Sequence, residues 1–378
     1  MSAVAAPDAR GDVALVLLGT GVVGGALLRL LATPAADALY LVGAANSRRQ
    51  VANPRGLVPA RVVAALAASA ERRDDAALLA ALDASGASRR VVVDATASIA
   101  EAAQHSAWLA AGYDVVSANK AALGETLAAW SELRQAGARG GAGYGDAATV
   151  GAGLPVLSTL KRLRDCGDRL LALDGVFSGS LSWLFNQFDG ARPFSALLRE
   201  ARERGYTEPD PRVDLGGADV ARKLLILART AGHALDASDV EIESLVPAPL
   251  RAIGVDEFLE RAVELDAPLE ARRAQAAERG RLLRFLARLD ERGRARVGLV
   301  EVAPTHPAAR LAGTDNLFAL TTERYRAQPL VIQGPGAGPE VTAQALLGDV
   351  LALRAAAPEP AFAGRPERGR SPRAPAAL

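Results

Sequence analysis

Asp219 and Lys223 stand four residues apart in DLGGADVARKLLILARTAG, so on a helix they share one face, one turn from each other. On an exposed helix such a pair is a solvated salt bridge. Here Val220, Ala221, Leu224, Leu225, Ile226, Leu227 and Ala228 make the helix apolar nearly all round, which buries it. A buried charge needs a partner and a reason to be there. The choice of lysine supplies one: a desolvated ammonium can give up its proton within reach of neutral pH, and a guanidinium cannot. Only Lys120, Lys161 and Lys223 are lysines among the 44 basic residues, so lysine at 223 points to proton transfer rather than to charge alone. Just upstream, Pro209 and Pro211 restrict the turn-rich loop from Gly205 to Asp214 and hold Glu208, Asp210 and Asp214 in place. One or more of these carboxylates could take the ammonium group of an amino-acid substrate.

A proton donor of this kind needs a redox or carbonyl partner, and the N-terminus offers a place for one. The apolar run Val13 to Leu18 leads at once into Gly19, Thr20, Gly21, Val22, Val23 and Gly24, and then into an apolar-periodic stretch to Leu31: strand, tight turn, helix. In this G-x-G-x-x-G the first glycine permits the turn and the second lets the backbone approach a pyrophosphate. The third allows close packing, and the helix N-terminus adds N–H groups and partial positive charge. The carboxylate that marks NAD at the end of the second strand is missing; that strand, Leu39 to Ala45, runs into Asn46, Ser47, Arg48 and Arg49. A 2'-phosphate is therefore not repelled, and Arg48 or Arg49 can pair with it, so both NADP and NAD stay open.

Further strands at Arg90 to Thr96 and Asp114 to Ala118 alternate with helical patterns at 75–83, 99–111 and 121–137. That alternation predicts an α/β, Rossmann-type doubly wound parallel sheet over 13–148. After the glycine cluster Gly137 to Gly145 the pattern changes to strands at Leu170 to Phe177, Arg281 to Leu289 and Arg294 to Val302, with helices near 194–204 and 215–231. This predicts a second, α+β domain over 149–325, carrying substrate, catalysis and dimerisation. Leu330 to Gln333 reads as one more buried strand. With the helix from Val341 it forms a segment, 326–355, expected to return to the nucleotide-binding domain. Residues 1–12 read as a flexible N-terminus and 356–378 as a disordered tail.

Composition narrows the partners. The formal charge of +1 gives no field for nucleic acid or an anionic membrane, and a small neutral or zwitterionic substrate fits better. Cys166 is the only cysteine, so an internal disulfide and a cysteine-based zinc site are excluded. The histidines His105, His233 and His306 lack metal-ligand spacing and read as packing or surface residues. With no secretory pattern and no membrane-length apolar run, a soluble, cytoplasmic protein is expected. No Tyr lies four residues before any Lys, which disfavours a short-chain dehydrogenase mechanism. A dinucleotide-binding regulator without chemistry, or a dehydrogenase for another small aldehyde or 2-hydroxy acid, are the rival readings.

Five segments carry a family resemblance: GYTEPDPRVDLGGADVARKLLILART at 205–230, TVGAGLPV at 149–156, VFSGSLSWLF at 176–185, SANK at 117–120 and GAGPEVT at 336–342. In order and spacing, from about Val13 to Leu353, the chain resembles homoserine dehydrogenases, nearest to the dehydrogenase half of the bifunctional aspartokinase-homoserine dehydrogenases. Nothing in it resembles the kinase half or a regulatory ACT domain. The resemblance implies NAD(P)H-dependent reduction of L-aspartate 4-semialdehyde to L-homoserine, in a homodimer serving threonine and methionine synthesis. It implies that Lys223 protonates the aldehyde oxygen, that Asp219 and Glu208 position the substrate, and that Lys120 lies beside cofactor and substrate. Thr96 and Ser98 are then expected at the nicotinamide side, Gly205 and Gly338 along the cofactor cleft, and Ser180 and Asp214 in the substrate pocket. Lys161, near Arg162 and Arg164, is left as a surface residue. A monovalent-cation site (Na+ or K+) is implied at the carbonyls of Val150, Ala152 and Leu154 together with a carboxylate three residues before Val150. That position is Ala147, and the nearest acid, Asp146, is displaced by one. Either the loop brings Asp146 in, or the ion is held weakly or not at all.

Overall fold

A computed structural model describes residues 12–355, and two six-stranded sheets organise them. The flexible N-terminus and disordered tail expected from the sequence fall, apart from residue 12, outside the described residues.

The first sheet contains β1 (Val13–Leu18), β2 (Leu39–Ala45), β3 (Gln50–Ala52), β4 (Arg89–Asp94), β5 (Asp114–Ser117) and β6 (Tyr144–Gly145), in the order β3-β2-β1-β4-β5-β6. All neighbours are parallel except β3, which runs antiparallel to β2. β1 is buried along its whole length, as a continuous apolar run between two helical layers must be. The order reverses between β1 and β4, which opens a crevice at the carboxyl ends of these two strands.

The second sheet contains β7 (Leu170–Val176), β8 (Val240–Ile242), β9 (Leu282–Leu289), β10 (Ala295–Val302), β11 (Asp315–Thr322) and β12 (Leu330–Pro335), in the order β12-β11-β7-β9-β10-β8. Its pairs are antiparallel except β10 with β8. Helix Ala218–Thr230 packs on β8, β9 and β10, with every residue from Lys223 to Thr230 buried.

Residues 326–355 do not return as one block. β12 pairs with β11 at the edge of the second sheet, and its residues alternate between half-buried and exposed, so it is not the buried strand that its apolar letters predict. Only the helix that follows, Pro339–Ala355, goes back. It packs on helix Val22–Leu30, placing Ala343, Leu346, Leu347 and Val350 in the core formed by Val13, Leu15 and Leu17. Among the described residues no helix is long and apolar enough to cross a membrane.

Candidate functional site

The glycine turn sits on the crevice, and its geometry separates the roles of its three glycines. Gly19 has φ +90°, a left-handed conformation costly to other residues, and a Cβ there would meet Thr96 Cγ2 at 2.9 Å. A Cβ on Gly24 would stand 1.9 Å from the Gly19 carbonyl oxygen, so the helix can approach the turn only with glycine there. A Cβ on Gly21 would meet nothing within 4 Å. The space over Gly21 is open, at the N-terminus of helix Val22–Leu30, where unpaired N–H groups point outward. A dinucleotide pyrophosphate fits this cradle. Thr20 is half-buried within the turn, Val22 is exposed at the mouth, and Val23 lines the cleft. At the end of β2, the Asn46 carboxamide oxygen accepts the backbone N–H groups of Arg48 and Arg49. The Arg49 guanidinium donates to the Ala70 carbonyl, and Arg48 is exposed three residues after the end of β2.

The opposite wall brings the lysines in. Lys223 lines the same cleft as Val23, Thr96, Lys120 and Gly338, although it comes from the second sheet's layer. Its residue surface is 9% exposed. The ammonium donates to the Phe177 carbonyl at 2.7 Å and pairs with Asp219 Oδ2 at 2.8 Å. Asp219 Oδ1 lies 3.5 Å from Lys120 Nζ, so one carboxylate bridges the two lysines. Burial pushes Lys223 below the ordinary lysine value, and the Lys120 charge adds to this, while Asp219 and Asp214 oppose it. Burial would push Asp219 up, but the two ammonium groups outweigh it and hold the carboxylate below its ordinary value. A nearly buried ammonium, its hold on the proton loosened by burial, lines the crevice.

The remaining candidates divide. Ser180 donates to Asp214 Oδ1 at 2.6 Å, and the Glu208 N–H donates to Asp214 Oδ2 at 2.9 Å, so these residues tie the 205–214 loop to helix Gly179–Gln187. Burial raises the Asp214 carboxyl despite these bonds. Glu208 itself is exposed, with its carboxylate available at the loop. Asp210 is engaged by the Arg212 guanidinium, which also holds the Leu250 and Ile253 carbonyls. Ser98 Oγ caps helix Ile99–Ala110 by accepting the Glu101 N–H, and the Thr96 hydroxyl accepts the Ser98 N–H at 3.2 Å, so both hydroxyls hold the local backbone. Gly205, with φ +70°, makes the turn after helix Phe194–Glu203 and is not among the cleft residues, whereas Gly338 is.

A network that joins residues distant in sequence stands behind Thr96 and Lys120. His105 is fully buried; its Nε2 lies 3.0 Å from Asp94 Oδ2 and its Nδ1 2.9 Å from the Tyr144 hydroxyl. Asp94 also accepts the Thr96 N–H and the Asn119 carboxamide. The loops that end β4 and β5, and with them Thr96 and Lys120, are fastened to one carboxylate. The sequence signal available was the pair Asp94 and Asn119, each two or fewer residues from a site residue.

The implied monovalent-cation site does not fit. Ala147 offers no carboxylate, and its N–H donates instead to Asp349 Oδ2 at 2.8 Å. The Leu154 carbonyl already accepts the Val156 N–H at 2.8 Å. Asp146 is 5% exposed, and its Oδ1 is paired with the Lys161 ammonium. Lys161 is therefore no free surface lysine: from helix Val156–Asp165 its ammonium reaches the Asp146 carboxylate. Burial, with the Asp146 charge close by, pushes the Asp349 carboxyl up to about 6. Among the described residues no group of three His, Cys, Asp or Glu side chains can hold a metal ion.

A glycine-cradled crevice at the carboxyl end of a Rossmann-type sheet faces a buried, partnered lysine carried by a second α+β layer. The family models agree in detail: one described as "Homoserine dehydrogenase" matches residues 155–351, and one described as "Homoserine dehydrogenase, NAD binding domain" matches residues 19–144. The homoserine dehydrogenase of Emericella nidulans is 41% identical over 280 residues, 71% of this chain and 76% of that protein. The bifunctional aspartokinase/homoserine dehydrogenase 2 of Escherichia coli is 41% identical over 352 residues, covering 91% of this chain and 44% of that protein. The chain thus spans less than half the length of that bifunctional relative. A crystal structure of a Candida auris protein of unknown function superposes with a TM-score of 0.84 at 33% identity, over 90% of this chain and 97% of that one. The chain belongs to the homoserine dehydrogenase family.

Proposed function

We propose that the chain catalyses the NAD(P)H-dependent reduction of L-aspartate 4-semialdehyde to L-homoserine. The observation that carries this reading is the Lys223 ammonium, buried on the cleft wall opposite the glycine turn and 2.8 Å from Asp219. A nicotinamide dinucleotide held on the glycine turn would supply hydride for the aldehyde carbon. Lys223 gives its proton to the aldehyde oxygen, so the carbonyl becomes a hydroxyl without an alkoxide left unprotected in a dry site. Asp219 and the Phe177 carbonyl aim the ammonium, and Asp219 keeps it charged against its desolvation. Lys120, on the far side of the same carboxylate, lines the cleft with Thr96 and would lie beside cofactor and substrate. The exposed carboxylate of Glu208 takes the substrate ammonium, with Asp214 and Ser180 setting the loop that carries it. Arg48 accommodates a 2'-phosphate, which favours NADPH over NADH.

The test is direct: purified protein supplied with aspartate semialdehyde should oxidise NADPH, NADH or both at initial rates well above background. Tight cofactor binding with no turnover on any semialdehyde would instead support the regulator reading. With the proposed activity go a cytoplasmic homodimer and a place in threonine, methionine and isoleucine synthesis, for which sedimentation and complementation of a homoserine auxotroph are the checks.

A further inference from the structure

We propose that the Lys161 ammonium does the work of a bound monovalent cation in this chain, so that its activity requires neither K+ nor Na+. The turn from Asp146 to Leu154 forms part of the cleft floor: Thr149, Gly151 and Ala152 line the same cleft as Lys120 and Lys223. This turn holds an uncommon backbone. Ala152 has φ +52°, the only non-glycine residue with positive φ among those described, so something must hold the turn in place. At its start two carboxylates, Asp146 and Asp349, come close together with the Lys161 ammonium. Asp146 is nearly buried and anchors the turn, its carbonyl accepting both the N–H and the hydroxyl of Thr149. Asp349 reaches in from helix Pro339–Ala355 to accept the Ala147 N–H. The Lys161 ammonium binds Asp146 from helix Val156–Asp165, which begins two residues after Leu154.

A univalent ammonium and a univalent metal ion offer the carboxylates the same charge. The ammonium differs in being tethered, so its occupancy does not depend on the salt in the medium. Without it, two carboxylates come close together at the start of the turn with no fixed counter-charge, a state that a cation from solution can relieve. The proposal does not depend on which substrate the cleft takes.

The experiment exchanges KCl or NaCl for tetramethylammonium chloride at constant ionic strength, a cation too large and too poor a hydrogen-bond donor to stand in for the ammonium. Initial rates and the thermal unfolding midpoint are both read. For the unsubstituted protein both should hold steady, rates within about twofold, since the ammonium is tethered beside a nearly buried carboxylate and its occupancy does not follow the salt. In Lys161→Met the rate in tetramethylammonium should fall roughly tenfold or more and recover with K+, Na+ or NH4+, and the midpoint should rise with the same ions because they bind the folded state. Lys161→Arg should restore indifference to the medium. Loss of rate or midpoint by the unsubstituted protein when K+ and Na+ are withdrawn would overturn the proposal. So would a folded Lys161→Met enzyme that remains active and indifferent to all three ions. If Lys161→Met fails to fold, the unsubstituted protein and Lys161→Arg still decide. The midpoint reads the ion effect even if aspartate semialdehyde proves not to be the substrate.

Discussion

Lys223→Met removes the ammonium while keeping most of the side chain's bulk, and the surroundings fix what should follow. General acid catalysis by a positioned group contributes about 10²- to 10⁴-fold, or roughly 3–5.5 kcal/mol of barrier. Lys120 is the nearest substitute donor, but it lies across Asp219, 3.5 Å from the other carboxylate oxygen, and would have to leave that ion pair to serve. We therefore expect kcat to fall about a thousandfold. The glycine turn and Arg48 are untouched, so cofactor affinity should stay within about threefold, a loss confined to the chemical step. Stability should change by only about 1 kcal/mol either way, since the lost pair had a large desolvation cost and Asp219 keeps Lys120. The assay is initial-rate oxidation of NADPH with aspartate semialdehyde, with cofactor binding measured by titration of the reduced-nicotinamide fluorescence. A variant retaining kcat within about tenfold would refute the assignment of Lys223 as proton donor, because so small a loss lies below what general acid catalysis contributes.

Further outcomes follow from the same structure. The reductive kcat should decline with rising pH as Lys223 loses its proton, and Asp219→Asn should move that decline to lower pH, because the carboxylate is what holds the lysine's proton on. Gly21→Ala, whose Cβ meets open space, should leave the unfolding midpoint unchanged while weakening the cofactor by about tenfold or more; Gly24→Ala, colliding with the Gly19 carbonyl, should lower both. Arg48→Ala should weaken NADPH more than NADH, read as a change in the ratio of their kcat/KM values. Burial acts to raise Asp174, but His306 and Arg288 outweigh it and hold its carboxyl at about 2. A depressed carboxyl contributes stability above its unfolded value near 4 and loses it as pH falls through 2. Asp174→Asn should therefore cost about 1–2 kcal/mol at pH 7 in chemical denaturation, and the difference should vanish near pH 2.

What could be read from the letters depended on whether neighbours in sequence remain neighbours in space. The glycine turn, Asp219 with Lys223 on one helix face, and the wholly apolar β1 are local patterns, and the structure forms the turn, the buried helix and the buried strand. β12 misled because LVIQ has the composition of a buried strand, while burial depends on which sheet position the strand takes, and it took an edge. β11 is legible in the letters, NLFAL being a short apolar run after Gly313, and it is buried between edge strand β12 and β7. Lys161 and Asp146 are 15 residues apart and meet only because the ammonium reaches the carboxylate from helix Val156–Asp165, which no periodicity announces. The His105 network joins residues from β4, β6 and the helix between β4 and β5, so it could not be seen before the sheet order was known.

Helix Pro339–Ala355 seals the flank that helix Val22–Leu30 leaves open, so a ribosome must finish the whole second sheet before the dinucleotide layer can close. Until then the nascent chain carries an oily seam along Leu15 and Leu27 with no cover of its own. A clone that stops after the first sheet would keep that seam for good, and would be expected to clump or occupy a chaperone rather than bind cofactor. The two halves of the molecule are thus obliged to mature together, whatever the order of their synthesis.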